Sequence, residues 1–200
     1  MSERVLITGG TGNLGGNVRR SLLERGYTVR IMSRREPEPG EDDGVEWAVA
    51  ELTSGEGVRD AMRGVDSIVH TASSATSAAV EIDGGRHLID AARAEGVAHF
   101  VYISIIGVDK ITFPYYETKL QAERLIAASG LDYSIQRAAQ FPAFMAQIIA
   151  GLTRLPVVLQ PRGWRFQPIS AADVADVLAG IVQDGPQGRA PEVAGPQVLT

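Results

Sequence analysis

The sequence predicts an α/β protein built on a doubly wound parallel sheet. Three observations lead there. Short apolar runs recur at Val5 to Ile7, Tyr27 to Ser33, Val45 to Ala50, Asp66 to Thr71, His99 to Ser104 and Asp132 to Arg137, with helix-length segments between them. A unit of strand plus helix every roughly 30 residues is the pattern of parallel βαβ construction. The runs are rich in Val, Ile and Leu, as strands buried on both faces are. The first run flows into a glycine cluster and then into a helical pattern, Leu14, Val18, Leu22 and Leu23, with Arg19, Arg20, Glu24 and Arg25 on the polar side.

That first junction is the most informative stretch. Gly10-Gly12-Gly15 reads G-x-G-x-x-G and Gly9-Gly12-Gly15 reads G-x-x-G-x-x-G, both between a strand and a helix. The glycines give access. A pyrophosphate must approach the backbone closely and rest on the N–H groups at the helix start, where the dipole favours an anion. A side chain at Gly9, Gly12 or Gly15 would block the turn, the phosphate or the packing of helix on strand. The motif therefore predicts a dinucleotide site of the Rossmann type, with Thr11, Asn13 and Leu14 inside the same segment.

The second strand ends at Ser33-Arg34-Arg35. An NAD-preferring site carries Asp or Glu there for the ribose 2′-hydroxyl. A guanidinium instead grips a 2′-phosphate with paired charge-assisted hydrogen bonds. NADP(H) is the expected cofactor, with NAD(H) still compatible. The acidic stretch Glu36 to Asp43, broken by Pro37, Pro39 and Gly40, reads as a solvated loop. Ser54 is expected to begin a short helix running to about Met62, with Gly64 closing it. After the fourth strand come the small residues Ala72, Ser73, Ser74 and Ala75, which suit close passage of a ligand in the crevice of an open sheet. His70 reads as a satisfied histidine at a strand end, and His87 and His99 lack partners at metal spacing, so no metal is assigned.

A helix from about Val80 to Glu95, with Ile82, Leu88, Ile89 and Ala92 apolar, leads to the fifth strand and Ser104 at its carboxyl end. Tyr115 and Lys119 then sit four apart at the start of a helix and project from one face. A tyrosine hydroxyl is a weak acid–base catalyst at neutral pH unless a cation stands by it. The triplet therefore suggests Tyr115 as proton donor to a substrate carbonyl, Ser104 holding that oxygen, and Lys119 beside both the phenol and the nicotinamide ribose.

Taken together, TGGTGNLGG (Thr8 to Gly16), Ser33-Arg34-Arg35, VDSIVHTAS (Val65 to Ser73), VYISIIGV (Val101 to Val108), PYYETKLQAE (Pro114 to Glu123) and SGLDYSIQRAAQF (Ser129 to Phe141) resemble the atypical, NmrA-like branch of the short-chain dehydrogenase/reductase superfamily. FQPISAADVA (Phe166 to Ala175) adds a later match. The resemblance implies a sheet binding NADP(H), with Ser104, Tyr115 and Lys119 on the positions of the family's catalytic serine, tyrosine and lysine. It also implies that Glu51-Leu52 stand where relatives carry Asp-Leu beside the adenine. Ala139 departs from a frequent proline after the sixth strand. Some members of the branch lack the active tyrosine and only sense the cofactor.

The remainder reads as one domain over residues 1–200, with substrate-side segments at about 141–170 and 185–200. Phe141 to Leu159 is rich in apolar residues, which suits either the lining of an apolar site or ordinary core and subunit contact. Gln160 to Ile169 looks like a turn flanked by short strands. Ser170 caps a helix with Val174, Val177, Leu178 and Ile181 as its stripe, Asp173 and Asp176 near its first turn, and Pro191 to Val198 reads as a last strand or turn.

Composition narrows the class. A net charge of −5 over 200 residues argues against a nucleic-acid partner, and the absence of cysteine removes disulfides and thiolate chemistry. No apolar run reaches the ~18 residues of a membrane span and the start lacks a signal-peptide pattern, so a cytoplasmic location and no membrane partner are expected. There is no G-x-S-x-G elbow of a hydrolase. The reading is an NADP(H)-dependent oxidoreductase acting on a small carbonyl, quinone or other apolar acceptor, with a homodimer allowed. The alternatives are a cofactor-sensing regulator without turnover and, third, a nucleotide-sugar epimerase.

Overall fold

Val5 and Ile7 pack to one side of the first strand and Leu6 to the other, so both faces of the strand are covered. The computed structural model describes residues 2–38, 40, 44–142 and 166–199. Within them, strands β1 (Arg4–Thr8), β2 (Thr28–Ser33), β3 (Glu46–Val49), β4 (Ser67–His70), β5 (His99–Ile105), β6 (Tyr133–Ala138) and β7 (Gly188–Arg189) form a sheet of order β3-β2-β1-β4-β5-β6-β7. Every neighbouring pair is parallel. The winding reverses between β1 and β4, and the carboxyl ends of these two strands open the crevice where ligands of such sheets bind.

Helices cover both faces. On one, α1 (Asn13–Glu24) and α5 (Ala171–Asp184) bury Leu14, Val18, Leu22, Val174 and Leu178 on Val29, Ile31, Val69 and Val101. Ser21 Oγ ties the two helices together by donating to Asp176 Oδ1 at 2.7 Å. On the other face, α2 (Val58–Met62), α3 (Ala78–Glu95) and α4 (Pro114–Ala127) bury Met62, Leu88 and Ile126 on Leu6, Ile68, Phe100 and Ile135. Arg137 on β6 clamps this side: its guanidinium forks onto both oxygens of the buried Glu123 on α4 (2.9 and 2.8 Å) and reaches Asp109 in the turn after β5 (3.1 Å). That clamp fixes α4, and with it Tyr115 and Lys119, against the sheet.

Two boundaries differ from the sequence reading. The short helix starts at Val58, not at Ser54. Gly57 adopts φ +72, and a Cβ there would lie 2.5 Å from Val49 O, so this left-handed glycine starts the helix late. Ser54 instead accepts from Glu56 N within the preceding turns. Ser170 caps α5 as the sequence predicts, accepting from Asp173 N at 3.0 Å, while Asp176 is bound to Ser21. The final strand is Gly188–Arg189, followed by single bridges from Val193 to Ala138 and, antiparallel, from Leu199 to Phe166. The apolar stretch from 143 to 159 and the turn from 160 to 165 lie outside the described residues.

Candidate cofactor cleft and active site

The glycine turn is closed by Gly12 N donating to Gly9 O at 2.9 Å. Side chains cannot enter it. A Cβ at Gly15 would stand 2.2 Å from Gly9 O, and one at Gly9, whose φ is +71, would stand 2.7 Å from Ala72 N. The start of α1 has no side-chain cap and no acidic residue in its first turn. Its first amides are thus open to an anion, as a pyrophosphate requires. The cradle fits a dinucleotide.

A cleft of about 910 Å³ leads away from this turn. Of the sequence-predicted residues, Gly9, Thr11, Gly12, Ser33, Arg34, Arg35, Glu51, Leu52 and Ala72 line it. Asn13, Leu14, Gly15 and Lys119 do not. Leu14 is buried in the core under α1, and Gly15 is pressed on the turn behind the cleft wall. At the β2 end Arg34 is exposed, while Arg35 Nη1 donates to Glu36 O in its own loop. Glu51 is occupied by Thr53, accepting from its amide at 3.1 Å and its hydroxyl at 3.0 Å. That amide above all, with Arg34 adding to it, holds the Glu51 carboxyl below the usual carboxylate value.

At the other end of the cleft, Ser73 lines the wall and shares a 2.7 Å hydrogen bond with the hydroxyl of Tyr115. Pro114 at the first position of α4 pre-sets the backbone that presents Tyr115. Ser104, at the carboxyl end of β5, is 2% exposed and its Oγ has no hydrogen-bond partner among the described residues. A buried hydroxyl left unpaired costs roughly 1–3 kcal/mol, which a ligand oxygen would offset.

Lys119 is held by groups that the sequence spacing does not reveal. It is 2% exposed, and Nζ sits 3.0 Å from Glu81 Oε1, donates to Ile103 O at 3.1 Å and lies 4.7 Å above the Tyr102 ring. Its hydrogen bonds among the described residues thus go to Glu81 and Ile103, not to Tyr115. Glu81, on the first turn of α3, is fully buried and also accepts from Ser73 Oγ (2.5 Å, on Oε1) and Tyr102 OH (2.7 Å, on Oε2). Burial alone would raise its carboxyl, yet Lys119 and these donors hold it below the ordinary value. The reverse applies to Tyr102, which burial and the Glu81 charge push well above 10. His70 stacks on Tyr102, shares a 2.6 Å hydrogen bond with Thr8 Oγ1, and is pushed down to about 4 by burial.

Sequence reasoning missed Glu81. A signal existed: Glu81 falls one heptad before Leu88 on the inward stripe of α3, and an acid on such a stripe is seldom buried unless paired.

Glycine cradle, reversal of strand order and cleft together define an NAD(P)H-binding Rossmann domain. The family model described as "NAD(P)H-binding" matches residues 9–185, and the chain belongs to that family. Photosystem II assembly factor Ycf39 of Cyanophora paradoxa is 30% identical over 168 residues, 80% of this chain and 51% of that protein. The chain spans about half the length of the curated relatives it matches. Among solved structures, an Escherichia coli NADPH-dependent quinone oxidoreductase complexed with NADPH superposes with TM-score 0.81 at 24% identity, covering 98% of this chain and 71% of that one. A Citrobacter triphenylmethane reductase complexed with NADP(H) gives 0.83 at 20% identity, covering 100% and 72%. The fold is thus the Rossmann type that these structures share. Among the described residues no His, Cys, Asp or Glu group is arranged to hold a metal ion, and no helix is long and apolar enough to cross a membrane.

Proposed function

We propose that the chain is an NADP(H)-dependent reductase of small carbonyl, quinone or other apolar acceptors, with Tyr115 as proton donor. The observation that carries this reading is the 2.7 Å bond between Tyr115 OH and Ser73, a residue of the cleft wall itself. A dinucleotide with its pyrophosphate on Gly9, Gly12 and Gly15 and its 2′-phosphate at Ser33 and Arg34 would extend past Ala72 towards Tyr115. When bound, it supplies a hydride from its dihydronicotinamide. Tyr115 protonates the acceptor oxygen, and the unpaired Ser104 Oγ orients that oxygen. The exposed side chains Ile111 and Phe113, just before Tyr115, support an apolar acceptor, and Phe113 meets the Tyr116 ring edge-on. The likeness to quinone and dye reductases supports the same acceptor class.

The test is NADPH oxidation with menadione, phenanthrenequinone and benzaldehyde, for the parent chain and Tyr115→Phe. The reading expects turnover in the parent and at least a hundredfold loss of kcat in the variant, with NADPH still bound. Equal turnover in Tyr115→Phe overturns the proton-donor role. A second reading, a cofactor-sensing or assembly role without turnover, is favoured by the likeness to Ycf39. Binding of NADPH with no turnover on any acceptor would support it.

A further inference from the structure

A carboxylate has no hydrogen to give, and that fixes the direction of every bond around Glu81. Ser73 has one hydroxyl hydrogen, and it goes to Glu81 Oε1 at 2.5 Å. The bond between Ser73 and Tyr115 must then run from Tyr115 OH to Ser73 Oγ. The phenol hydrogen is aimed by a charge with which it makes no contact. Oε1 is also the oxygen that Lys119 holds at 3.0 Å, so one atom joins Lys119, Ser73 and, through Ser73, Tyr115.

We propose that Glu81 is a positioning residue for Tyr115, acting through Ser73, and that Lys119 acts on Tyr115 along this chain. The proposal rests on the reading of Tyr115 as proton donor. In the reaction the Tyr115 O–H bond breaks as an O–H bond forms on the acceptor oxygen. The Ser73 hydroxyl then turns its hydrogen from Oε1 to the new phenolate oxygen, a rotation that breaks no covalent bond. Lys119 and Tyr102 stay on Glu81 and keep the buried carboxylate satisfied while Ser73 is turned away. Without the chain the phenolate would have neither a fixed donor nor a fixed resting direction.

The test uses the full chain with its five tyrosines isotope-labelled at Cζ, the Tyr115 signal being assigned by its loss in Tyr115→Phe. Glu81→Gln is expected to displace the Tyr115 signal, and in a Ser73→Ala background the same substitution is expected to leave it unmoved. Glu81→Asp, which keeps a charge for Lys119 but shortens the reach to Ser73, serves if Glu81→Gln does not fold. With NADPH and phenanthrenequinone, kcat is expected to fall at least tenfold in Ser73→Ala and to recover in Ser73→Thr, the NADPH Kd changing less than threefold. A Tyr115 signal indifferent to Glu81, or displaced equally without Ser73, overturns the proposal. If Tyr115→Phe retains full turnover, the proton-donor reading fails on its own, whatever the ring signal does.

Discussion

The two ends of the cleft are built in opposite ways. At the nucleotide end the work is done by missing atoms: three glycines leave the backbone bare, and the charged side chains stand at the exposed rim. At the tyrosine end the work is done by buried charge: Lys119 and Glu81 are almost wholly out of water, with Ser73 and Tyr102 completing the carboxylate. A bare turn recognises a phosphate by shape and dipole, which needs no side chain to move. Directing one phenol hydrogen needs an acceptor of known direction, and Ser73, its own hydrogen held by a desolvated carboxylate, is one. The difference predicts that added volume disturbs the first end most and a change of charge the second.

The largest effect expected is at the turn. Gly15→Ala drives a methyl into Gly9 O and Gly10 Cα, and the backbone must shift. Loss of roughly 1–3 kcal/mol of stability and of at least a hundredfold in NADPH affinity (about 2.7 kcal/mol) is expected, read by urea unfolding and calorimetric titration. The neighbour Gly16, whose added Cβ would meet nothing closer than 3.9 Å, is the contrast: Gly16→Ala should keep affinity and gain up to about 1 kcal/mol as a better helix former.

A smaller effect tests the buried end through pH. His70 and His99 are both pushed down to about 4 by burial, against an ordinary value of 6.5. Between these values the unfolded chain takes up protons that the folded chain refuses, so stability falls as pH drops from about 6.5 towards 4. Urea unfolding at pH 7 and pH 4.5 should show this loss, and His70→Gln should remove about 2 kcal/mol of it. An identical pH dependence in the variant would contradict a neutral buried His70.

Much of this was legible in the sequence because it is local. The glycine spacing, the two-faced apolar strands and the Ser170 cap each depend on residues within a few positions of one another, and the structure has them all. The strand–helix alternation was legible for the same reason. What was not legible is what joins distant segments. Glu81 and Lys119 meet across α3 and α4, and Ser73 reaches Tyr115 over 42 residues. The four-residue spacing of Tyr115 and Lys119 puts both on one face of α4, but it does not say that a third element offers Lys119 a buried carboxylate. Likewise the late start of α2 follows from Gly57 passing close to Val49, a contact that the local pattern at Ser54 does not contain.

Everything at Tyr115 presupposes that the cleft takes NADP(H) with its 2′-phosphate at Arg34, so the most direct measurement is calorimetric titration with NADPH and NADH. It is run on the parent chain and on Arg34→Ala. The account predicts NADPH at least tenfold tighter than NADH in the parent (about 1.4 kcal/mol), with Arg34→Ala losing most of that difference and leaving NADH unchanged. Equal affinities in the parent, or binding of neither nucleotide, would contradict it.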